Sequence, residues 1–201
     1  VALGNWILRS SLITLRKLND AGYRHLRMAV NVSVVQFRDP NFVKSVKMAL
    51  IEYGVEPHCL ELEITESVAM TEAQSVREIL VRLRDLGVAI AIDDFGTGYS
   101  SLSYLEKLPA NRLKIDRSFV ASIEENNDGG RIAALIIQLA KQLGMQTIAE
   151  GIEEHWQRDA LIELGCEEGQ GFYFGRPMPG CELIPWLNMA IQNGSITGDS
   201  L

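Results

Sequence analysis

Six short, densely apolar runs recur along the chain, separated by stretches whose apolar residues keep helical spacing. The runs are Met28-Ala-Val-Asn-Val32, Leu60-Glu-Leu-Glu-Ile64, Val88-Ala-Ile-Ala-Ile92, Arg112-Leu-Lys-Ile115, Gln146-Thr-Ile-Ala149 and Gly169-Gln-Gly-Phe-Tyr-Phe174. Each has the length of a strand. Between them, Val76, Ile79, Leu80, Leu83 and Leu86 share one helical face, with Thr71 and Gln74 spaced as a capping box and Gly87 as a C-terminal cap. Ile132, Leu135, Ile136, Leu139 and Leu143, closed by Gly144, form a second such face. Weaker helices are expected near 40–53, 154–164 and 181–192, and the chain opens on a helical pattern through Leu3, Trp6, Ile7, Leu8, Leu12 and Leu15. Strand–helix alternation of this kind calls for parallel strands joined by crossover helices, in an open doubly wound sheet or a (β/α)8 barrel.

The polar residues decide between the two. Asn31, Glu63, Asp93 with Asp94, Lys114, Glu150 and Gln170 stand in or just after the six runs, towards their C-terminal ends. A closed barrel brings all its strand ends to one axis, whereas an open sheet leaves its outer strands far from the crevice. The expectation is therefore a barrel. A typical one has about 250 residues, against 201 here, so two N-terminal strands are expected to be absent from this chain, which begins at Val1 directly in a helical pattern.

Charge narrows the function classes. Nineteen Lys and Arg against 26 Asp and Glu give a net charge of −7, which argues against a nonspecific DNA binder or an anionic-membrane patch. Cys59, Cys166 and Cys181 fit neither metal-ligand spacing nor a disulfide framework. The longest apolar stretch, Ile132–Ala140, is too short to span a membrane. A cytoplasmic domain is expected, whether or not its parent protein is membrane-anchored.

Taken singly, a strand glutamate such as Glu61 or Glu63 belongs on a solvated face. The joint pattern differs. Asp93-Asp94 follows a fully apolar strand, and burying charge without a partner costs several kcal/mol. Carboxylates gathered near Glu63 and Glu150 repel unless a cation sits among them. An oxygen-rich set of this kind selects Mg²⁺, Mn²⁺ or Ca²⁺ over zinc.

The segment Asp93-Asp-Phe-Gly-Thr-Gly-Tyr-Ser-Ser-Leu102 is the most specific in the chain. Together with Asn31-Val-Ser33, Glu61-Leu-Glu-Ile-Thr-Glu66, Leu113-Lys-Ile-Asp-Arg-Ser-Phe-Val120, Ala149-Glu-Gly-Ile-Glu153 and Gln170-Gly-Phe-Tyr-Phe-Gly-Arg-Pro177, it resembles the EAL family of bacterial cyclic-di-GMP phosphodiesterases. The resemblance implies a modified (β/α)8 TIM-like barrel with one antiparallel strand, over residues 1–193, with 194–201 a polar tail or linker stub. It implies hydrolysis of cyclic-di-GMP to linear pGpG with two Mg²⁺ or Mn²⁺ ions, Ca²⁺ being inhibitory; the alternative is an inactive receptor that signals through partner domains.

By the same resemblance Asn31, Glu63 and Asp93 bind one metal, and Asp93, Asp94 and Glu150 a second. Lys114 orients the attacking water, Glu153 holds water or acts as a base, and Asp94, Glu153 and Gln170 contact substrate. Glu66 supports the Asp-Phe-Gly loop, Asp116 stands behind the ligands, and Gly96 and Gly98 let the loop turn at positive φ. Phe95 and Tyr99 are expected to pack that loop. The family's Glu-Ala-Leu signature, whose glutamate completes the first metal site, would lie before residue 1, so the chain alone is expected to be silent. A homodimer face is expected over Ser100–Leu108, through Leu102, Tyr104, Leu105 and Leu108, with sensory or GGDEF domains elsewhere in the parent.

Overall fold

A computed structural model describes residues 1–70, 74–98, 102–125 and 129–192. In chain order, α1 (Ala2–Asp20) leads to β1 (Met28–Asn31), then α2 (Val34–Phe37), α3 (Phe42–Tyr53) and β2 (Leu60–Thr65). Helices α4 (Glu66–Ala69) and α5 (Gln74–Asp85) precede β3 (Ala89–Phe95), and α6 (Leu102–Leu105) precedes β4 (Arg112–Ile115). Next come α7 (Arg117–Ala121), α8 (Arg131–Gln142), β5 (Gln146–Ala149), α9 (His155–Glu163), β6 (Glu168–Gly169) and α10 (Leu183–Gln192).

The strands pair in the order β1-β2-β3-β4-β5-β6, and every pairing is parallel. This corrects the expected antiparallel strand. Each crossover between described strands carries helical turns and returns the chain to the same end of the sheet, which is the geometry that parallel pairing requires. The result is a curled, six-stranded half-barrel of TIM-like α/β type.

Period-two alternation gives the sheet two unlike faces. Leu60, Leu62, Ile64, Ile90, Ile92, Leu113 and Ile115 are buried against the helical layer. That layer contributes Leu8, Leu12 and Leu15 from α1, Leu80 and Leu83 from α5, and Ala133, Ile136, Ile137 and Ala140 from α8. The face expected for α8 is rotated: Ile132 and Leu135 are exposed, and two alanines turn inward instead. This helix is apolar over most of its circumference, so periodicity alone does not fix its inner side; small residues let it approach β4 and β5 closely.

The sixth apolar run also departs from expectation. Only Glu168 and Gly169 pair with β5. Beyond them the amides of Tyr173 and Phe174 donate to the carbonyls of Ile152 and Gly171 (3.0 and 3.1 Å), which makes a turn and leaves Phe172, Tyr173 and Phe174 exposed. Thr71 of the expected capping box lies outside the described residues, as do Tyr99, Ser100 and Ser101 of the expected loop and dimer segments and the 194–201 tail. Of the remaining dimer-face residues, Leu105 and Leu108 are buried in the core and Leu102 is exposed. No helix among the described residues is long and apolar enough to cross a membrane.

Two substitutions on α1 test this inside–outside assignment. Leu12 is fully buried, so Leu12→Ala should cost about 2–5 kcal/mol in equilibrium urea unfolding. Trp6 is 64% exposed, and Trp6→Ala should stay within about 0.5 kcal/mol of the parent.

Candidate functional site

The face of the sheet turned away from the helices is charged. Residues two apart on a strand share a face, so Glu61 and Glu63 on β2 point the same way, as do Arg112 and Lys114 on β4. The charges form two layers, one at each end of the strands.

At the C-terminal ends, the Lys114 ammonium is the centre. Its Nζ lies 2.7 Å from Glu63 Oε1 and 2.9 Å from Asp93 Oδ1, and it also pairs with Glu150 Oε1. The Lys114 and Glu63 side chains are almost completely buried and that of Asp93 nearly so. Burial alone would lower the lysine pKa, but hydrogen bonds to Glu150 and Glu63 outweigh it and push the ammonium well above its usual range. Glu63 and Glu150 move up as well, because their desolvation exceeds what Lys114 returns. Three carboxylates thus share one cation in a poorly solvated space.

Asp93 and Asp94 should point to opposite faces of an ordinary strand. The β3–β4 register shifts between Ile92 and Phe95, and Asp94 has φ +54°, the left-handed region that non-glycine residues rarely enter. The irregularity brings both carboxylates to one side. Ligand oxygens from Asp93, Asp94 and Glu150 lie within 4.8 Å of one another, close enough to hold a divalent cation. Burial raises the Asp94 pKa, and the neighbouring Asp93 charge raises it further.

The loop that follows is held from below and above. The Gly96 amide donates to Glu66 Oε2 at 2.9 Å, and Thr97 Oγ1 donates to the Asp94 carbonyl at 2.8 Å. Gly96 takes φ +96°, and a Cβ there would meet Phe119 at 2.8 Å. Gly98 is needed for a different reason from the one expected: its φ is not positive, but a Cβ would come within 2.8 Å of Glu66 Oε1. Phe95 is buried beneath the loop.

The remaining expected residues are placed as follows. Asn31 ends β1 in register with Glu63, its side chain exposed at the mouth. Gln170 follows β6, its amide bonded to the Ala149 carbonyl at 2.8 Å, and its side chain is exposed. Glu153 is exposed and stands outside the Asp93–Asp94–Glu150 cluster. Asp116 caps α7 by accepting hydrogen bonds from the Ser118 amide (2.9 Å) and hydroxyl; burial, the largest single effect, pushes its pKa up, but those bonds and the neighbouring Arg117 together outweigh it and hold the carboxyl below its usual range.

The second layer was not expected. Near the N-terminal strand ends Arg112 Nη1 lies 3.3 Å from Glu61 Oε2 and donates to Glu168 Oε2 at 3.1 Å, with Arg27 3.7 Å from Glu61. Glu61, assigned singly to a solvated face, has only 2% of its side chain exposed, and burial raises its pKa despite Arg112 and Arg27. The signal was available in the i, i+2 spacing of Glu61–Glu63 and Arg112–Lys114. A cavity of about 920 Å³ runs along this face past Glu61, Glu63, Arg112, Gln170 and Phe174.

Comparison with known proteins places this geometry. The family model described as the EAL domain matches residues 1–177. The bifunctional diguanylate cyclase/cyclic di-GMP phosphodiesterase MucR of Pseudomonas aeruginosa is 44% identical over 184 residues, which is 92% of this chain and 27% of MucR. The signaling protein YkoW of Bacillus subtilis is 41% identical over 89% of this chain and 22% of its own length. The chain therefore spans about a quarter of these curated relatives. Among solved structures, the phosphodiesterase of MucR in complex with c-di-GMP superposes with a TM-score of 0.86 at 44% identity, over 91% of this chain and 74% of that one. The EAL domain of Mycobacterium smegmatis DcpA gives 0.86 at 40% identity, over 93% of this chain and 84% of that one.

Because Lys114 is the cation that compensates three carboxylates, Lys114→Met should destabilise the metal-free protein by about 3–5 kcal/mol. Added Mg²⁺ should then raise the melting temperature of the variant more than that of the parent. Equal shifts would mean that the ammonium and the dication do not share those carboxylates.

Proposed function

The chain belongs to the EAL family, and from that premise we propose that it is the catalytic part of a divalent-metal-dependent phosphodiesterase that hydrolyses cyclic-di-GMP to linear pGpG. The observation that carries this reading is the convergence of Glu63, Asp93, Asp94, Glu150 and Lys114 on one mouth, at the strand ends where barrel enzymes place their chemistry. The relatives named for cyclic-di-GMP turnover, and the solved c-di-GMP complex of MucR, support the substrate assignment.

The donor set fits Mg²⁺ or Mn²⁺: it is all oxygen, mostly anionic, and without thiolate or imidazole. Asn31, Glu63 and Asp93 would hold one cation, and Asp93, Asp94 and Glu150 the other. Bound there, the cations would supply water ionised near neutral pH and charge neutralisation at the scissile phosphate.

The chain's own residues do the rest. Lys114 carries a positive charge at any physiological pH and aims it into the mouth, where it can orient water and offset phosphate charge. Glu153 and Gln170, both exposed and following β5 and β6, contact substrate and water on this reading. Glu66 holds the loop amide of Gly96 and so fixes the turn that presents Asp94.

The test uses the full-length protein. Hydrolysis should require Mg²⁺ or Mn²⁺, stop in EDTA and be inhibited by Ca²⁺, whose longer, looser coordination activates water poorly. Asp93→Asn should lower turnover about a hundredfold or more, about 2.7 kcal/mol in barrier. Tight binding of cyclic-di-GMP with no turnover under any metal would instead assign the protein as a receptor, and full turnover in EDTA would remove the metal mechanism.

A further inference from the structure

Asn31 ends its strand at the mouth of the site with its side chain exposed. Its placement rests on the backbone that follows. One restraint is the Val32 amide, which donates to the Glu63 carbonyl at 2.8 Å and ties β1 to β2. The other is a capping box at the start of α2. Gln36 Oε1 accepts from the Ser33 amide at 3.2 Å and from the Ser33 hydroxyl at 2.9 Å, while the Gln36 amide donates to Ser33 Oγ at 3.4 Å. Together they fix the chain two residues beyond Asn31.

What holds Gln36 comes from far away in sequence. Its side chain is buried, and its carboxamide lies against Gly4 in the first turn of α1. A Cβ at Gly4 would fall 2.1 Å from Gln36 Cδ and 2.2 Å from Nε2. Gly4 is therefore required for close approach, in a helix where glycine otherwise costs stability.

We infer that Gln36 is a positioning residue for Asn31, with Gly4 on α1 as its seat. The inference rests on the proposed role of Asn31 as a metal ligand. A methyl at Gly4 meets the far end of a flexible side chain, so the helix tolerates it; the carboxamide moves, and the box to Ser33 opens. The β1–α2 turn then loses the side-chain part of its restraint, keeping the backbone bonds of Gln36 and Phe37 to the Ser33 carbonyl, and Asn31 spends less time in its ligating position.

The experiment is calorimetric titration of Mn²⁺ into the full-length protein, with melting temperatures measured alongside. Gly4→Ala and Gln36→Ala should each weaken Mn²⁺ binding about fivefold, the equilibrium equivalent of one capping interaction. Gln36→Glu, which rebuilds the box, should bind within about twofold of the parent. If Gln36 acts through Asn31, the double variant Asn31→Ala/Gln36→Ala binds no more weakly than Asn31→Ala alone. Parent-like Mn²⁺ affinity in Gly4→Ala and Gln36→Ala, or full additivity in the double variant, overturns the inference and leaves the proposed function standing. Absence of Mn²⁺ binding in the parent overturns both.

Discussion

Everything at the mouth depends on one ammonium reaching carboxylates from three other strands. Neighbouring strands are about 4.8 Å apart. Lys114 on β4 pairs with Asp93 on β3, with Glu63 two strands away on β2 and with Glu150 just past β5. The long lysine stem spans that distance and the curl of the sheet shortens it: curvature gathers the acids, and the ammonium offsets the repulsion that gathering creates. Without it, three carboxylates in a desolvated pocket would take up protons or splay the strands apart.

The same alternation organises the whole half-barrel. Odd and even positions of β2, β3 and β4 separate an apolar face, packed on the helices, from a face that carries ion pairs in two layers. Arg112 with Glu61 and Glu168 forms the lower layer, and Lys114 with Glu63, Asp93 and Glu150 the upper. The lower layer has one carboxylate, Glu168, that is partly exposed. The upper one is more acidic than its single lysine can satisfy. An excess of buried negative charge at the C-terminal strand ends, and not at the other, is what would let the mouth hold an added cation.

The sequence made the strand-end residues legible because one apolar run in parallel register carries one polar group at its end. That logic singled out Glu63, Asp93, Lys114 and Glu150, which the structure gathers at one mouth, and it correctly implied a parallel, helix-covered sheet. It was silent on features that alternation does not encode. The bulge that turns Asp94 to the same side as Asp93 depends on the Gly96 turn and the Glu66 carboxylate, thirty residues apart. The burial of Glu61 depends on Arg112, a partner two strands away. The face of α8 was misassigned because size, and not only polarity, decides which side of an apolar helix can approach a sheet. The expected antiparallel strand came from family resemblance and has no counterpart among the described strands.

The left-handed conformation of Asp94 shows how the fold accommodates the conflict between regular pairing and a converging acid pair. A non-glycine residue at positive φ costs of order 1 kcal/mol or more, and it persists only where its surroundings over-determine it. Here they do: the Asp94 amide donates to Asp93 Oδ1 at 3.0 Å, its carbonyl accepts from Thr97 Oγ1, and the next glycine is pinned by Glu66. In regular β geometry the Asp94 side chain would face away from that of Asp93, so the strain at this residue is what keeps the acid pair together. On the proposed reading it has a further consequence. With Asp94 held in place by its own loop, Asp93, Asp94 and Glu150 would hold a dication at the expense of the Lys114 pairs with Asp93 and Glu150. Lys114, still paired with Glu63, would then have more of its charge left to face an incoming phosphate.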